Sequence, residues 1–122
     1  MSRDEIMYSQ DIAESCEKIL RFTADLSKSD LLGDEKTYDA VVRNLEIVGE
    51  AAKPISEEIR RQLPDIEWRK AAGLRDMLVH AYFGIDNDIL WDVVQNKVSR
   101  LANATRSFLN KSGHEKQGVQ PK

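Results

Sequence analysis

The residues from Asp34 to Leu63, DEKTYDAVVRNLEIVGEAAKPISEEIRRQL, form the longest periodic stretch of the sequence. Apolar residues recur in it every three or four positions, at Tyr38, Val41, Val42, Leu45, Val48, Ala52, Ile55, Ile59 and Leu63. This spacing is typical of an amphipathic helix that buries one face. Asp34 directly follows Gly33 and is expected to cap the helix. Pro54 predicts a kink or a break into two helices, because proline has no backbone donor and crowds the carbonyl four residues earlier.

Comparable stripes on both sides of this stretch predict an all-α protein. The first helix begins with the capping-box spacing of Ser2–Glu5 and is expected to reach Leu26. A third helix, capped by Asp65, is expected to run to Val79 and to close at Gly84, and a fourth, capped by Asp86, continues to Phe108. No segment alternates with period two between hairpin signals, so no sheet is expected. Four or five helices joined by short loops predict an antiparallel bundle.

Length and composition set the class of protein. A chain of 122 residues has room for one domain, which we place at residues 1–111, and the Gly-, Lys- and Gln-rich residues 112–122 are expected to be a disordered tail. The single cysteine, Cys16, excludes an intrachain disulfide and suits a reducing compartment, so a cytoplasmic location is expected. The sequence has no apolar run of membrane-spanning length, and its charged first residues do not resemble a signal peptide.

The distribution of charge argues against a general polyanion binder. The net charge is −3, and the basic excess is confined to residues 96–122. Any action on RNA must therefore depend on a local site. A metal site is not expected either, because the two histidines lie far apart in the sequence and there is one cysteine. No glycine-rich phosphate loop occurs, and no cofactor is expected.

The segment Arg75–Tyr82, RDMLVHAY, places an arginine, a histidine and a tyrosine at the end of an otherwise apolar helix. Arginine is a permanent cation that matches a phosphate, and histidine moves protons near neutral pH. Together they suffice for metal-free RNA cleavage by attack of a 2′-hydroxyl on its own phosphate. A second interpretation stays open, in which Arg75 forms a surface ion pair with an acid and His80 caps the helix end.

Arg75, His80 and Tyr82, in the order R-x4-H-x-Y, resemble the signature of HEPN-domain toxins of the HepT type. Residues 43–52, 68–84 and 86–95 are similar to the same family, in family order, so the resemblance extends over roughly residues 4–110. It implies a dimeric HEPN bundle that acts as a metal-independent endoribonuclease, the toxin of a toxin–antitoxin pair. The implied partner is a small nucleotidyltransferase antitoxin of the MntA type, which transfers AMP onto Tyr82. The alternative is a non-catalytic, substrate-binding partner subunit of such a nucleotidyltransferase.

Helical geometry adds a constraint of its own. At about 100° per residue, Arg75 and His80 diverge by about 140° on one continuous helix, whereas Arg75 and Tyr82 nearly coincide. Either the helix unwinds near His80 or a two-fold dimer brings two copies of the motif into one cleft, and we favour the dimer. We expect His80 to act as general base or acid, Arg75 to hold the phosphate, and Asp76 to orient Arg75 or its two-fold copy. Glu50 lies in a polar stripe for which we predict no catalytic role.

Overall fold

The computed structural model describes residues 3–79 and 84–113, and this part of the chain is helical and contains no strand. The all-α prediction is therefore confirmed. The helices are α1 (Arg3–Thr23), α2 (Lys28–Gly33), α3 (Glu35–Ala52), α4 (Glu57–Gln62), α5 (Trp68–Ala72), α6 (Leu74–Val79), α7 (Asn87–Asp92) and α8 (Val98–Lys111). A π-helical turn, Val93–Lys97, joins α7 to α8. Within the described ranges, no helix has the length and apolar character needed to cross a membrane.

Helix α1 lies at the centre of the packing, against α3 on one side and α8 on the other. Its residues Ile12, Cys16 and Ile19 are completely buried. Burying an isoleucine side chain contributes roughly 1.5–3 kcal/mol, so Ile12 and Ile19 each stabilise this interface by that order. Arg106 of α8 also donates two hydrogen bonds to Glu17 of α1, at 3.1 and 3.0 Å, in a pair of largely buried side chains.

The predicted break at Pro54 is confirmed, because α3 ends at Ala52 and α4 begins at Glu57. The carbonyls at the end of α3 still find a donor. Arg60 of α4 donates through Nη2 to the oxygens of Ala52 and Lys53, at 3.1 and 3.4 Å. The same guanidinium lies 5.6 Å from the centre of the Trp68 ring. The end of α3 is thus tied to both of the helices that follow it.

Two of the predicted helix caps are also confirmed. The Asp34 side chain accepts a hydrogen bond from the backbone of Thr37 at the start of α3. Asp86 accepts from the backbone amides of Asp88 and Ile89 at the start of α7. In both cases the signal is local, since the side-chain oxygen reaches an amide only two or three residues away.

Other predicted boundaries are wrong. Asp65 does not cap a helix, because α5 begins after Glu67, which makes no side-chain cap. The chain instead turns at Leu63, whose carbonyl accepts from the Ile66 amide and from the Trp68 indole as both side chains become buried. The predicted third helix is also divided at Gly73 into α5 and α6.

The end of α1 and the segment that follows also differ from the prediction. Helix α1 stops at Thr23 rather than Leu26, and Asp25 has a positive φ of 64°, which ends a right-handed helix. Helix α2 was not predicted, although Ser27 and Asp30 form a capping box at its start. The capping residue Ser2 and most of the expected tail, residues 114–122, lie outside the described residues.

Candidate functional site

Helix α6 carries Arg75 and Asp76 and packs against the C-terminal half of α3. The contact is close because residue 49 of α3 has no side chain. A Cβ atom on Gly49 would lie 2.8 Å from the backbone nitrogen of Arg75 and 3.3 Å from the Cβ of Arg75. Real Cβ atoms do not approach backbone atoms so closely. Gly49 therefore sets how near the arginine lies to α3.

The guanidinium of Arg75 is paired with the next residue of α3. Its Nε lies 3.2 Å from Oε2 of Glu50, and the two side chains are 42% and 58% exposed. No aligned hydrogen bond accompanies this contact among the described residues, in contrast to the doubly bonded Arg106–Glu17 pair. Exposed ion pairs contribute about 0–1 kcal/mol, so Glu50 holds Arg75 only weakly.

Asp76 faces a different partner. Its Oδ1 lies 3.7 Å from Nζ of Lys53, and both side chains are about half exposed. Within one chain, therefore, the carboxylate next to Arg75 is that of Glu50, and Asp76 pairs with a lysine. The expectation that Asp76 orients Arg75 or its two-fold copy stays a prediction. We name these four residues, Glu50, Lys53, Arg75 and Asp76, the charge cluster.

His80 and Tyr82 lie outside the described residues, so the meeting of the arginine and the histidine stays a prediction as well. The sequence places Glu50 in a polar stripe, but it does not predict the contact of Glu50 with Arg75. The sequence does hold a hint, since an acidic residue follows a glycine in the middle of an amphipathic helix. The partner of Glu50, however, is 25 positions further along the chain, and no helical periodicity connects the two.

A groove of about 460 Å³ opens between α5 and α6 on one side and the π-helical turn and α8 on the other. Its floor is apolar and includes Cys16, where burial raises the thiol pKa to about 12. At its rim, Lys70 and Lys97 both lie 3.2 Å from the carboxylate of Glu67 and lower the pKa of that group. Arg75 is not among the residues that line the groove. Among the described residues, the arginine of the candidate phosphate site is thus separate from the lining of the apolar groove.

Across residues 3–79 and 84–113, no cluster of three or more histidine, cysteine, aspartate or glutamate side chains lies within ligating reach.

A family model described as "Ribonuclease HepT-like" matches residues 12–108. The chain belongs to the HepT-like family. The matched range includes α3 and α6, and therefore the whole charge cluster.

Curated HepT-like relatives occur in archaea and bacteria. A probable ribonuclease HepT of Thermococcus cleftensis is 46% identical over 101 residues, which are 83% of this chain and 92% of that protein. A putative RNase of Methanocaldococcus jannaschii is 43% identical over 79% of each chain. A putative RNase of Caldanaerobacter subterraneus is 33% identical over 85% of this chain and 93% of its own length. No solved structure matches the chain.

Proposed function

We propose that this HepT-like protein is a metal-independent endoribonuclease. The observation that carries the proposal is the placement of Arg75, whose side chain is 42% exposed and is held on a short helix fixed against α3. A solvent-accessible, permanently charged side chain on a fixed backbone is suited to gripping a phosphodiester. The names of the relatives, a probable ribonuclease and several putative RNases, support RNA as the substrate class.

In the proposed reaction, the imidazole of His80 takes the proton of a ribose 2′-hydroxyl. The freed 2′-oxygen attacks the adjacent phosphorus, and the bond to the 5′-oxygen of the next nucleotide breaks. That leaving oxygen takes a proton from a general acid, which leaves a cyclic phosphate on one fragment and a 5′-hydroxyl on the other. Arg75 stabilises the negative charge that builds up on the non-bridging oxygens, so no metal ion is required.

We place this chemistry in a two-fold dimer of HEPN-type antiparallel bundles. Arg75 and His80 diverge by about 140° on a regular helix, so a helix that continued without interruption from α6 through His80 would not present both to one phosphate. A self-complementary interface would bring two copies of the motif together. Asp76 has a role in this arrangement if it faces the partner's side of the cleft, since within its own chain it meets Lys53.

We further propose that the protein is the toxin of a toxin–antitoxin pair and that a nucleotidyltransferase antitoxin silences it by transferring AMP onto Tyr82. Each added AMP places a phosphate and a bulky base beside the motif. The phosphate would occupy the cation that RNA needs, and the base would obstruct the cleft. The alternative, a non-catalytic partner subunit of the nucleotidyltransferase, predicts association with that enzyme and no RNA cleavage.

The test is cleavage of RNA by the purified protein in the presence of EDTA. We expect the wild-type protein to cleave and the Arg75→Ala and His80→Ala variants to lose at least about 100-fold in rate, as is usual when an acid–base group or a charge-stabilising group is removed. Arg69→Ala is the matched control, because Arg69 is an exposed arginine on the neighbouring helix α5.

Full activity of Arg75→Ala, or dependence of wild-type cleavage on added metal ions, would contradict the proposed mechanism. Absence of cleavage by wild-type protein that still associates with a nucleotidyltransferase would favour the partner-subunit alternative.

A further inference from the structure

We propose that Glu50 is an internal competitor of the RNA phosphate for Arg75, so that this carboxylate sets the affinity of the site for its substrate. The inference rests on the proposed function, because it concerns the same arginine. Glu50 acts through Arg75 and does not contact the reacting atoms.

Glu50 and Arg75 form an ion pair with a loose geometry. The carboxylate of Glu50 reaches Nε of Arg75 at 3.2 Å without an aligned hydrogen bond, and both side chains are about half exposed. A residue that fixed the orientation of a guanidinium would be expected to bind it as Glu17 binds Arg106, through two hydrogen bonds and largely away from water. The Glu50 contact neutralises the arginine but does not lock it.

The two side chains are anchored on separate helices. Glu50 projects from α3 and Arg75 from α6, whose spacing is set by the backbone contact at Gly49. The ion pair can therefore open by side-chain rotation alone, while the spacing of the helices is kept. Because the acid is already 58% exposed, water can solvate it as soon as a phosphate takes its place.

The charges of the four residues in the charge cluster cancel. Lys53 and Asp76 lie beside the pair and contact each other, so the charge cluster contains two cations and two anions. Its net charge is zero in the RNA-free protein. A phosphate that approaches gains little from the cluster until Glu50 releases Arg75. The free energy needed to break the ion pair reduces the binding free energy of every ligand that contacts the guanidinium.

The expected consequence is that removing the charge of Glu50 strengthens RNA binding. In Glu50→Gln we expect the dissociation constant to fall by about two- to five-fold, the range that an exposed ion pair contributes. The effect must depend on Arg75. In an Arg75→Ala background the same substitution has no guanidinium to release, and we expect it to change the dissociation constant no more than a distant charge does.

The experiment measures binding of a random-sequence 2′-O-methyl oligoribonucleotide at fixed salt concentration. This probe keeps the phosphates and lacks the attacking hydroxyl, so binding is read without cleavage. The proteins are wild type, Glu50→Gln, Arg75→Ala and the double variant. Glu58→Gln is the matched control, since Glu58 is an exposed glutamate of α4 and its substitution makes the same change in charge. Thermal unfolding of each variant verifies that all are folded.

Tighter binding by Glu50→Gln, absent from Glu58→Gln and lost in the Arg75→Ala background, supports the proposal. Unchanged or weaker binding by Glu50→Gln overturns it, as does equal tightening by Glu58→Gln or tightening that persists without Arg75. If Arg75→Ala binds the probe as well as wild type does, then the proposed role of Arg75 fails and the inference fails with it. If Arg75→Ala weakens binding and Glu50→Gln leaves it unchanged, only the inference fails.

Discussion

Glu17 and Glu50 are two glutamates with arginine partners in very different surroundings. Glu17 accepts two hydrogen bonds from Arg106 between α1 and α8, and its side chain is 22% exposed. Glu50 is 58% exposed and makes one contact with Arg75 without an aligned hydrogen bond among the described residues. The same residue type therefore contributes to stability in one place and to ligand competition in the other.

The difference in burial and hydrogen bonding between the two ion pairs predicts a difference in their contribution to stability. We expect Glu17→Gln to lower the free energy of unfolding by about 1–3 kcal/mol, because it leaves a largely buried guanidinium without its counter-charge. Glu50→Gln should change it by less than about 0.5 kcal/mol, as is usual for an exposed position. Urea unfolding at neutral pH measures both. Equal losses in the two variants would show that the Glu50 pair is structural.

At the scale of elements, the spacing of α3 and α6 depends on one position. Gly49→Ala places a Cβ atom 2.8 Å from the backbone nitrogen of Arg75, and a backbone atom cannot turn aside as the end of a long side chain can. We expect this variant to lose about 1–3 kcal/mol of unfolding free energy, the usual range for overpacking. RNA cleavage should fall too, since α6 carries the arginine.

The control for this prediction is Gly33→Ala. A Cβ on Gly33, at the end of α2, would meet nothing within 4 Å. Alanine there should therefore leave stability unchanged or raise it slightly, because it restricts the unfolded chain. If urea unfolding gave the same result for both variants, then Gly49 would not set the spacing of the helices.

Sequence reasoning succeeded for elements where the signal is local. The caps at Asp34 and Asp86 and the break at Pro54 each depend on atoms a few residues apart, and all three were predicted. It failed at Asp65, where a competing turn at Leu63 buries Ile66 and Trp68. Side-chain burial in the tertiary fold overrode a local capping preference.

In the candidate site, too, a local signal can be predicted from the sequence and a tertiary contact cannot. Arg75 was identified from the motif, because its chemistry can be read from a single stretch of eight residues. Its contact with Glu50 could not be identified in that way. The contact joins residues of two helices separated by the helix break at Pro54 and by α4 and α5, and only the packing of α6 on α3 brings them together.

At the scale of the whole molecule, the predicted dimer leads to a complementation test. Arg75→Ala and His80→Ala are each expected to be inactive alone. If one active centre takes its arginine from one subunit and its histidine from the partner, then mixed dimers contain one intact centre. Random exchange of subunits should restore about a quarter of the wild-type rate, since half of the dimers are mixed and each has one of two centres intact.

The measurement is RNA cleavage after the two inactive variants are mixed and allowed to exchange subunits. Native mass spectrometry of the mixture, with one of the two variants carrying a mass tag, measures the degree of exchange independently of activity. If exchange is complete and the mixture of single variants has no activity, then each centre is built within one subunit, and α6 must unwind before His80.

The closeness of α6 to α3 has a consequence for how this surface can change by mutation. Positions 49 and 50 both border Arg75, one at its backbone and the other at the end of its side chain. In a library of substitutions, every replacement at position 49 adds a Cβ atom, so we expect each one to lower the yield of folded protein, and larger side chains to lower it most. Position 50 should accept many residues at full yield, and its variants would differ in nucleic-acid affinity. Two consecutive codons would thus be constrained by unrelated properties, folding at one and ligand exchange at the other.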